Sequence, residues 1–356
     1  MRNRMKYNSI ASKFEKLSGI ETDFINIITG YKTDHNKKII ASPFLFIPPE
    51  VSAAFNIITI KIPDFILNKT GITDNLKSLY DAVVVSDRTS FCNRNISPDS
   101  SYIFKTPEGF GEDASVSLHN EIMLMLKELF DIDIKSINIE TLKKETAVYE
   151  KLRRLVRSIS ALRSENRFLL TNTQLTLIFE TALILPPETA ISFISPVLEE
   201  MKKVMENEIV KINEKDESFK IKGMLYGGRS IPSDIAHSIE ESGILLIEDD
   251  SCTGRRLFDI SLNSESEYIF YELLDAYSYR ALTPCLRSVN ERYELLYKLL
   301  KNFNIEAVIF YKDDNCGDSR EEIDYLRIKM MRDGIDPLVI DKNNYKEIIE
   351  GYVSRL

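Results

Sequence analysis

GILLIEDDSC (residues 243–252) and AVIFYKDDNC (residues 307–316) share one local pattern. Each has an apolar run, then two aspartates, one spacer residue and a cysteine. The apolar runs are nearly continuous rather than alternating, which is typical of strands buried on both faces of a sheet. Helical patterns separate them along the chain. Strands that alternate with helices along a chain are typical of parallel α/β sheets, in which right-handed crossovers connect the strands. The pattern therefore predicts a parallel α/β sheet.

Six more β-rich runs lie outward from this pair, at residues 38–46, 57–63, 80–87, 101–107, 219–228 and 336–342. Between the two groups, residues 113–215 show long helical periodicity with a charged opposite face. The predicted fold class is α/β, with two parallel-sheet domains, Rossmann-like or flavodoxin-like, that face each other across a cleft. The predicted parts are an N-terminal helical segment (1–35), a first α/β domain (36–112), a helical segment associated with it (113–217) and a second α/β domain (218–356).

The composition excludes several classes of protein. The chain is 44% hydrophobic and 28% charged, with a net charge of −9, so it lacks the basic footprint of a nucleic-acid-binding protein. Its apolar runs are too short to cross a bilayer, and its N-terminus lacks the apolar core of a signal peptide. These features predict a cytoplasmic protein that binds neither nucleic acid nor membrane.

The four cysteines carry the strongest chemical signal. In a reducing compartment they are not expected to form disulfides, and there is no C-x-x-C pair. Three of them follow predicted strands, and the fourth follows a proline loop; they are Cys92, Cys252, Cys316 and Cys285. Ligands bind at the carboxyl edge of open parallel sheets, so these thiols are expected to converge there. Three or four thiolates without histidine favour an iron–sulfur cluster, whereas the alternative is that each is a small buried hydrophobe.

Charged residues near the cysteines have structural or ligand-binding interpretations. The aspartate pairs are interpreted as capping or loop-fixing groups rather than as metal ligands. Arg255 and Arg256 are candidates for pairing with a phosphate, and the alternative is that one of them is simply solvated. Glu50 is interpreted as a first-turn carboxylate of a helix that begins at two prolines.

An ordered series of segments resembles the 2-hydroxyacyl-CoA dehydratase and benzoyl-CoA reductase family. The series includes PFLFIPPEVSAAFNI (43–57), DAVVVSDRTSFCN (81–93), YGGRSIP (226–232), LIEDDSCTGRRLF (246–258), TPCLRS (283–288) and EAVIFYKDDNCGD (306–318). The resemblance implies a cysteine-ligated iron–sulfur cluster, expected to be [4Fe–4S], and a homologous second subunit in a heterodimer or a homodimer. It also implies a separate ATP-dependent iron–sulfur activator and an acyl-CoA substrate, from which water is eliminated by a ketyl-radical route.

The resemblance carries over residue by residue only in part. Cys92 and Cys316 match the family's second and third ligand positions, and Cys252 and Cys285 match positions where many members carry cysteine. No cysteine stands at the first ligand position, upstream of Cys92. The serine expected just before the Pro-Pro-Glu segment is not aligned, since the nearest serine is Ser42. No catalytic residue is therefore assigned.

The resulting prediction is the iron–sulfur subunit of a 2-hydroxyacyl-CoA dehydratase-type enzyme, a lyase, with Cys92, Cys252, Cys285 and Cys316 as metal-site candidates. One alternative is a family member that only relays electrons, as a benzoyl-CoA reductase-like or other low-potential reductase component. Another is a structural subunit without metal. The sequence leaves open the acyl group, the number of cysteine ligands, and whether this is the catalytic or the partner subunit.

Overall fold

The computed structural model describes residues 8–43, 45–63, 66, 79–87, 101–107, 111–165, 169–208, 221–227, 231–251, 254–281, 288–312 and 320–355. Within these ranges the strands form two four-stranded sheets, and every strand pairing is parallel. Among the described helices, none combines the length and the apolarity that crossing a membrane requires.

The first sheet has the order β2-β1-β3-β4. Its strands are β1 (Lys38–Ser42), β2 (Ile57–Lys61), β3 (Ala82–Ser86) and β4 (Tyr102–Phe104). The helices before and between them are α1 (Asn8–Ser18), α2 (Ile20–His35) and α3 (Pro49–Ala53). Then follow α4 (Glu112–Phe130), α5 (Ile139–Glu165), α6 (Asn172–Ile184) and α7 (Pro187–Glu208), with a short 3₁₀ turn at Ile134–Ser136.

The second sheet has the order β6-β5-β7-β8. Its strands are β5 (Ile221–Gly227), β6 (Ile244–Asp250), β7 (Ala307–Tyr311) and β8 (Leu338–Ile340). The remaining helices are α8 (Ser233–Glu241), α9 (Ile269–Ala276), α10 (Val289–Phe303), α11 (Arg320–Arg332) and α12 (Tyr345–Val353), with a 3₁₀ turn at Arg255–Phe258 and a π-helical turn at Tyr277–Ala281.

Helices cover both faces of the second sheet. Leu225 of β5 packs in one core with residues of α8 and α12, whereas Met224 and Tyr226 pack in another with α10 and α11. Successive strand residues point to opposite faces, so a strand buried on both sides must be apolar throughout. The apolar runs of the sequence meet that requirement.

The structure confirms the predicted fold class of two parallel α/β sheets. Each of the eight β-rich runs contains one of the eight strands found among the described residues. One detail differs from the sequence prediction. The buried side of α5 is not purely apolar, because Glu150, Arg153 and Arg163 lie on it.

The segment after β6 returns to the first sheet. Leu257, Phe258 and the inner residues of α9 belong to the hydrophobic core that also contains β1 to β3. Arg157 of α5 fixes this return, because its Nη1 donates to the carbonyl oxygens of Phe258 and Ile260, each at 2.6 Å. These contacts place residues 257–277 against the first core. The predicted domain boundaries themselves stay a prediction.

The free edge of β6 is covered by side chains of the helical segment. Asn172, at the start of α6, accepts from the backbone N–H of Leu246 at 3.1 Å and donates to the carbonyl of Ile244 at 3.4 Å. Arg163 of α5 donates to the carbonyl of Leu246 and, at 3.1 Å, to that of Leu170. A buried edge strand must have its backbone groups satisfied, and here two side chains act in place of a further strand.

Replacing Asn172 with leucine should lower the free energy of unfolding by about 2–4 kcal/mol, because two buried backbone groups of β6 would lose their partners. Urea unfolding followed by circular dichroism measures this. Asn120→Leu, at an exposed position of α4, is the control and should change stability by less than about 0.5 kcal/mol. Equal effects of the two substitutions would contradict the role of Asn172 at the strand edge.

Candidate functional site

All four candidate cysteines lie outside the described residues, so the structure does not test them as ligands. The described chain nevertheless fixes where their segments begin. It reaches Asp87 before Cys92, Ser251 before Cys252 and Lys312 before Cys316. These three points directly follow the carboxyl ends of β3, β6 and β7. The segment with Cys285 lies between Ala281 and Ser288.

The two sheets have the same order, and this makes two cysteine positions equivalent. In each sheet the first strand in the chain lies between the second and the third. The strand order therefore switches direction between the first and third strands, which is the topological switch point of the sheet. β3 and β7 are the corresponding third strands, beside the switch point where open α/β sheets bind ligands. Cys92 and Cys316 follow these strands. Cys252 instead follows β6, which β5 separates from β7, roughly 10 Å away at ordinary strand spacing.

Asp249 shapes the turn that precedes Cys252. Its Oδ1 accepts from the backbone N–H of Ser251 at 2.9 Å. Gly254 packs directly against it, because a Cβ there would lie 2.2 Å from the Asp249 carbonyl oxygen. Only glycine permits that approach. Burial raises the pKa of Asp249 to about 6, with its hydrogen bonds to Ser251 acting in the opposite direction.

Arg255 and Arg256 are engaged by carboxylates of their own segment. Arg255 pairs with Glu248 at 2.8 Å and with Asp259 at 3.3 Å, and its guanidinium lies over the ring of Phe303. Arg256 pairs with Asp250. The phosphate-binding interpretation therefore gains no support, and neither arginine is simply solvated. The loop-fixing interpretation of the first aspartate pair agrees with these contacts, whereas Asp313 and Asp314 lie outside the described residues.

A cavity of about 240 Å³ opens beside these carboxylates. Its lining includes the charged residues Glu248, Asp250, Arg256 and Asp259, together with Tyr279 and residues of α10. Burial raises the pKa of Glu248 to about 8, although the charge of Arg255 acts in the opposite direction. Within the described ranges, no group of three or more histidine, cysteine, aspartate or glutamate side chains has the geometry to hold a metal ion.

A buried ionic network lies beneath the first sheet. Glu50 is fully buried and pairs with Arg153 of α5, so it is more than a first-turn carboxylate. Arg153 also pairs with Glu150 at 3.1 Å, and Glu150 in turn accepts from Arg157. Burial alone would raise the pKa of Glu150, but Arg153 and Arg157 hold it below its usual value. Glu150 and Arg157 together hold the segment that returns after β6, because Glu150 also accepts from the backbone of Leu262.

Arg153 was missed by sequence reasoning, although the sequence carries a signal for it. The residue lies four positions after Tyr149 and three before Val156, both of which are buried. It therefore falls on the apolar stripe of α5 rather than on the opposite face. Its guanidinium lines a small cavity of about 30 Å³, together with Thr59, Tyr149 and Tyr277. Ser42, at the end of β1, is also buried, and its hydroxyl has no hydrogen-bond partner in the described part of the chain.

Arg153→Met should lower the free energy of unfolding by about 3–5 kcal/mol, because Glu50 would be left buried without its counter-charge. The double variant Glu50→Gln/Arg153→Met should recover part of that loss. Arg154→Met is the control, since the neighbouring Arg154 is largely exposed and also pairs with Glu150. Denaturant titration of the four proteins tests the network, and a double variant no more stable than Arg153→Met would count against it.

Asp249→Asn should change how stability depends on pH. The folded-state pKa of Asp249 is raised, so the folded chain retains a proton that the unfolded chain has lost between about pH 4 and pH 6. In that window this residue makes the wild-type chain less stable as pH rises. The asparagine variant should therefore gain roughly 3 kcal/mol relative to wild type between pH 4 and pH 7. Parallel stability curves from unfolding at several pH values would refute this assignment.

Comparison with known proteins identifies the family to which this chain belongs. No curated protein matches the chain. The family model described as 2-hydroxyglutaryl-CoA dehydratase, D-component, matches residues 50–356. This match includes α3 with Glu50, the long helix α5, the turn around Asp249 and all four cysteines. The chain therefore belongs to the 2-hydroxyglutaryl-CoA dehydratase D-component family, which confirms the predicted 2-hydroxyacyl-CoA dehydratase relationship.

Proposed function

We propose that this chain is the iron–sulfur subunit of a 2-hydroxyacyl-CoA dehydratase-type lyase. The family match over residues 50–356 carries the proposal. The D-component description implies a partner subunit. The proposal also includes a cluster, a radical route, a separate activator and an acyl-CoA substrate. These features rest on family resemblance.

The donor set fits an iron–sulfur cluster. Thiolates are the usual ligands of such clusters, and Cys92 and Cys316 follow strands in the same place of two sheets with the same order. We assign these two as ligands, with Cys252 as the third and Cys285 near the site. When bound, a cluster held by three thiolates would polarise the thioester carbonyl and transfer one electron to it.

The acidic residues that precede Cys252 are electrostatically unfavourable for a nearby thiolate. Glu248, Asp249 and Asp250 precede this cysteine, and unpaired carboxylates would repel a negatively charged metal–thiolate group. Arg255 pairs with Glu248 and Arg256 pairs with Asp250. Asp249 instead accepts a backbone hydrogen bond and contacts Gly254, so it holds the chain on both sides of the cysteine. The role of these residues is to orient the segment rather than to bind iron.

The partner and the electron source complete the enzyme. The sequence contains no phosphate-binding loop of the Walker type, so ATP hydrolysis is assigned to a separate activator. The acyl-CoA enters as the substrate of the assembled dimer.

Anaerobic purification should give a brown protein with about four irons per chain. Cys316→Ser and Cys92→Ser should each lose most of the iron and the charge-transfer absorbance, because each removes a ligand. Iron assay and visible spectroscopy measure both. A colourless, iron-free wild-type protein prepared under strict anaerobiosis would refute the cluster, and full iron in Cys316→Ser would refute the site.

Cys285→Ser separates dehydration from electron relay. If Cys285 is not a ligand, the variant should keep its iron, and adding a 2-hydroxyacyl-CoA should shift the electron paramagnetic resonance signal, because one iron is open to substrate. Loss of the cluster in this variant, together with a wild-type signal indifferent to every acyl-CoA tested, would contradict the dehydratase and favour a closed relay cluster.

A further inference from the structure

Helix α9 exposes two tyrosines that its own packing does not use. Ile269, Leu273 and Leu274 are buried on its inner side. Tyr268, its N-cap residue, and Tyr271 are 69% and 67% exposed. Ile269, Leu273 and Leu274 anchor the helix to the first core and Phe270 packs against that core, whereas Tyr268 and Tyr271 are not among the residues of this core. Large exposed aromatic groups are enriched where proteins bind one another.

The exposed residues continue onto α4. The ring of His119 meets Phe270 edge-on at 5.3 Å, and Phe270 meets Tyr271 at 5.8 Å. Val116 lies three residues before His119, on the same side of α4, and is 54% exposed. These five residues form one surface, here called the aromatic face: Val116, His119, Tyr268, Phe270 and Tyr271.

The two segments that carry the aromatic face are acidic. Neither residues 106–126 nor residues 257–279 contain a lysine or an arginine. Exposed carboxylates lie one turn or less from its members, namely Glu112, Asp113, Glu267 and Asp275, and Glu265 is nearby in the preceding turn. An apolar centre flanked by exposed carboxylates complements a partner with an apolar centre and a basic rim.

The aromatic face is preformed rather than adaptable. Ser115 of α4 and Ser278 of the following π-helical turn are in hydrogen-bond contact at 2.9 Å. Leu118 of α4 and Leu273 of α9 are both buried in the same core. Docking would therefore require little rearrangement of the backbone.

A second copy of this chain is the less suitable occupant of the face. Two aromatic faces in a symmetric contact would place their acidic rims against each other. The outer side of α11 is apolar and basic, with exposed Tyr325, Ile328 and Met331 beside Arg327 and Arg332. Docking that side onto the aromatic face would give a head-to-tail contact that does not close into a dimer.

We propose that the aromatic face binds the second subunit of the dehydratase through a basic-rimmed apolar patch on that subunit. This rests on the proposed function, in which the D-component acts with a partner subunit. Tyr268 and Tyr271 form the centre of the contact, and Glu265 and Glu267 contribute to its charge complementarity.

The probe is the purified partner subunit of the same dehydratase, encoded in the same genome, and binding to the full chain is measured by calorimetry. Tyr268→Lys/Tyr271→Lys should weaken binding at least about 100-fold, because it removes two aromatic anchors and adds repulsion. Glu265→Lys/Glu267→Lys should weaken binding mainly at low salt and flatten its salt dependence. Tyr325→Lys/Ile328→Lys is the matched control on α11 and should bind as wild type does. Circular dichroism and urea midpoints establish that each variant is folded.

Wild-type affinity in the Tyr268/Tyr271 variant would overturn the docking proposal and leave the two-component function standing. Loss of binding in the α11 variant instead would transfer the interface to that helix and overturn the proposal as well. If the wild-type chain does not bind the partner subunit, or if sedimentation shows that the aromatic face joins two copies of the chain, the proposal also fails. The iron assay of the anaerobically purified protein tests the dehydratase assignment separately, because the iron content does not depend on this surface.

Discussion

The free edge of β6 imposes the strongest constraint on this molecule. A strand at the edge of a sheet carries backbone N–H and C=O groups that must find partners when the edge is buried. Asn172 and Arg163 supply those partners, and both come from helices that belong with the first sheet. The same helix α5 holds the return segment through Arg157 and Glu150. One helix therefore joins the second sheet to the first core through polar contacts made in a water-poor interior, where such bonds are directional and their loss is costly.

This dependence explains why α5 carries charge on its buried side. Arg153, Arg157 and Arg163 lie along the helix and bind, in turn, the start of α3, the return segment and the edge of β6. Each guanidinium offers several donors in a fixed plane, which suits bridging of carboxylate and carbonyl oxygens from different parts of the chain. Hydrophobic residues of the same size would fill the space but would leave those oxygens unpaired.

Sequence periodicity was sufficient for the fold and insufficient for this network. The strands were predictable because a short apolar run bounded by turn residues, such as residues 307–311, is typical of a buried strand. The same runs led to the expectation that Cys92, Cys252 and Cys316 lie at the carboxyl edges of the sheets, and this stays a prediction because the three cysteines lie outside the described residues. The pairing of Glu50 with Arg153 was not predictable, because the two residues are 103 positions apart and a local pattern contains no information on such a contact. Arg255 and Arg256 were ambiguous for a different reason, since their carboxylate partners lie within the same segment but face them only through a turn whose geometry depends on Gly254.

The return of residues 257–277 to the first core has a consequence for how the chain is made. Synthesis proceeds from the N-terminus, so β5 and β6 leave the ribosome before the residues that complete the first core. Domains that are continuous in sequence can close as soon as their last element emerges, but here the earlier unit must wait for Leu273 and Leu274. Until then its apolar surface stays open while half of the next sheet is already present, and that sheet in turn lacks β7 and β8. The nascent chain thus exposes two incomplete cores at once, which makes this interval the period of greatest need for a chaperone.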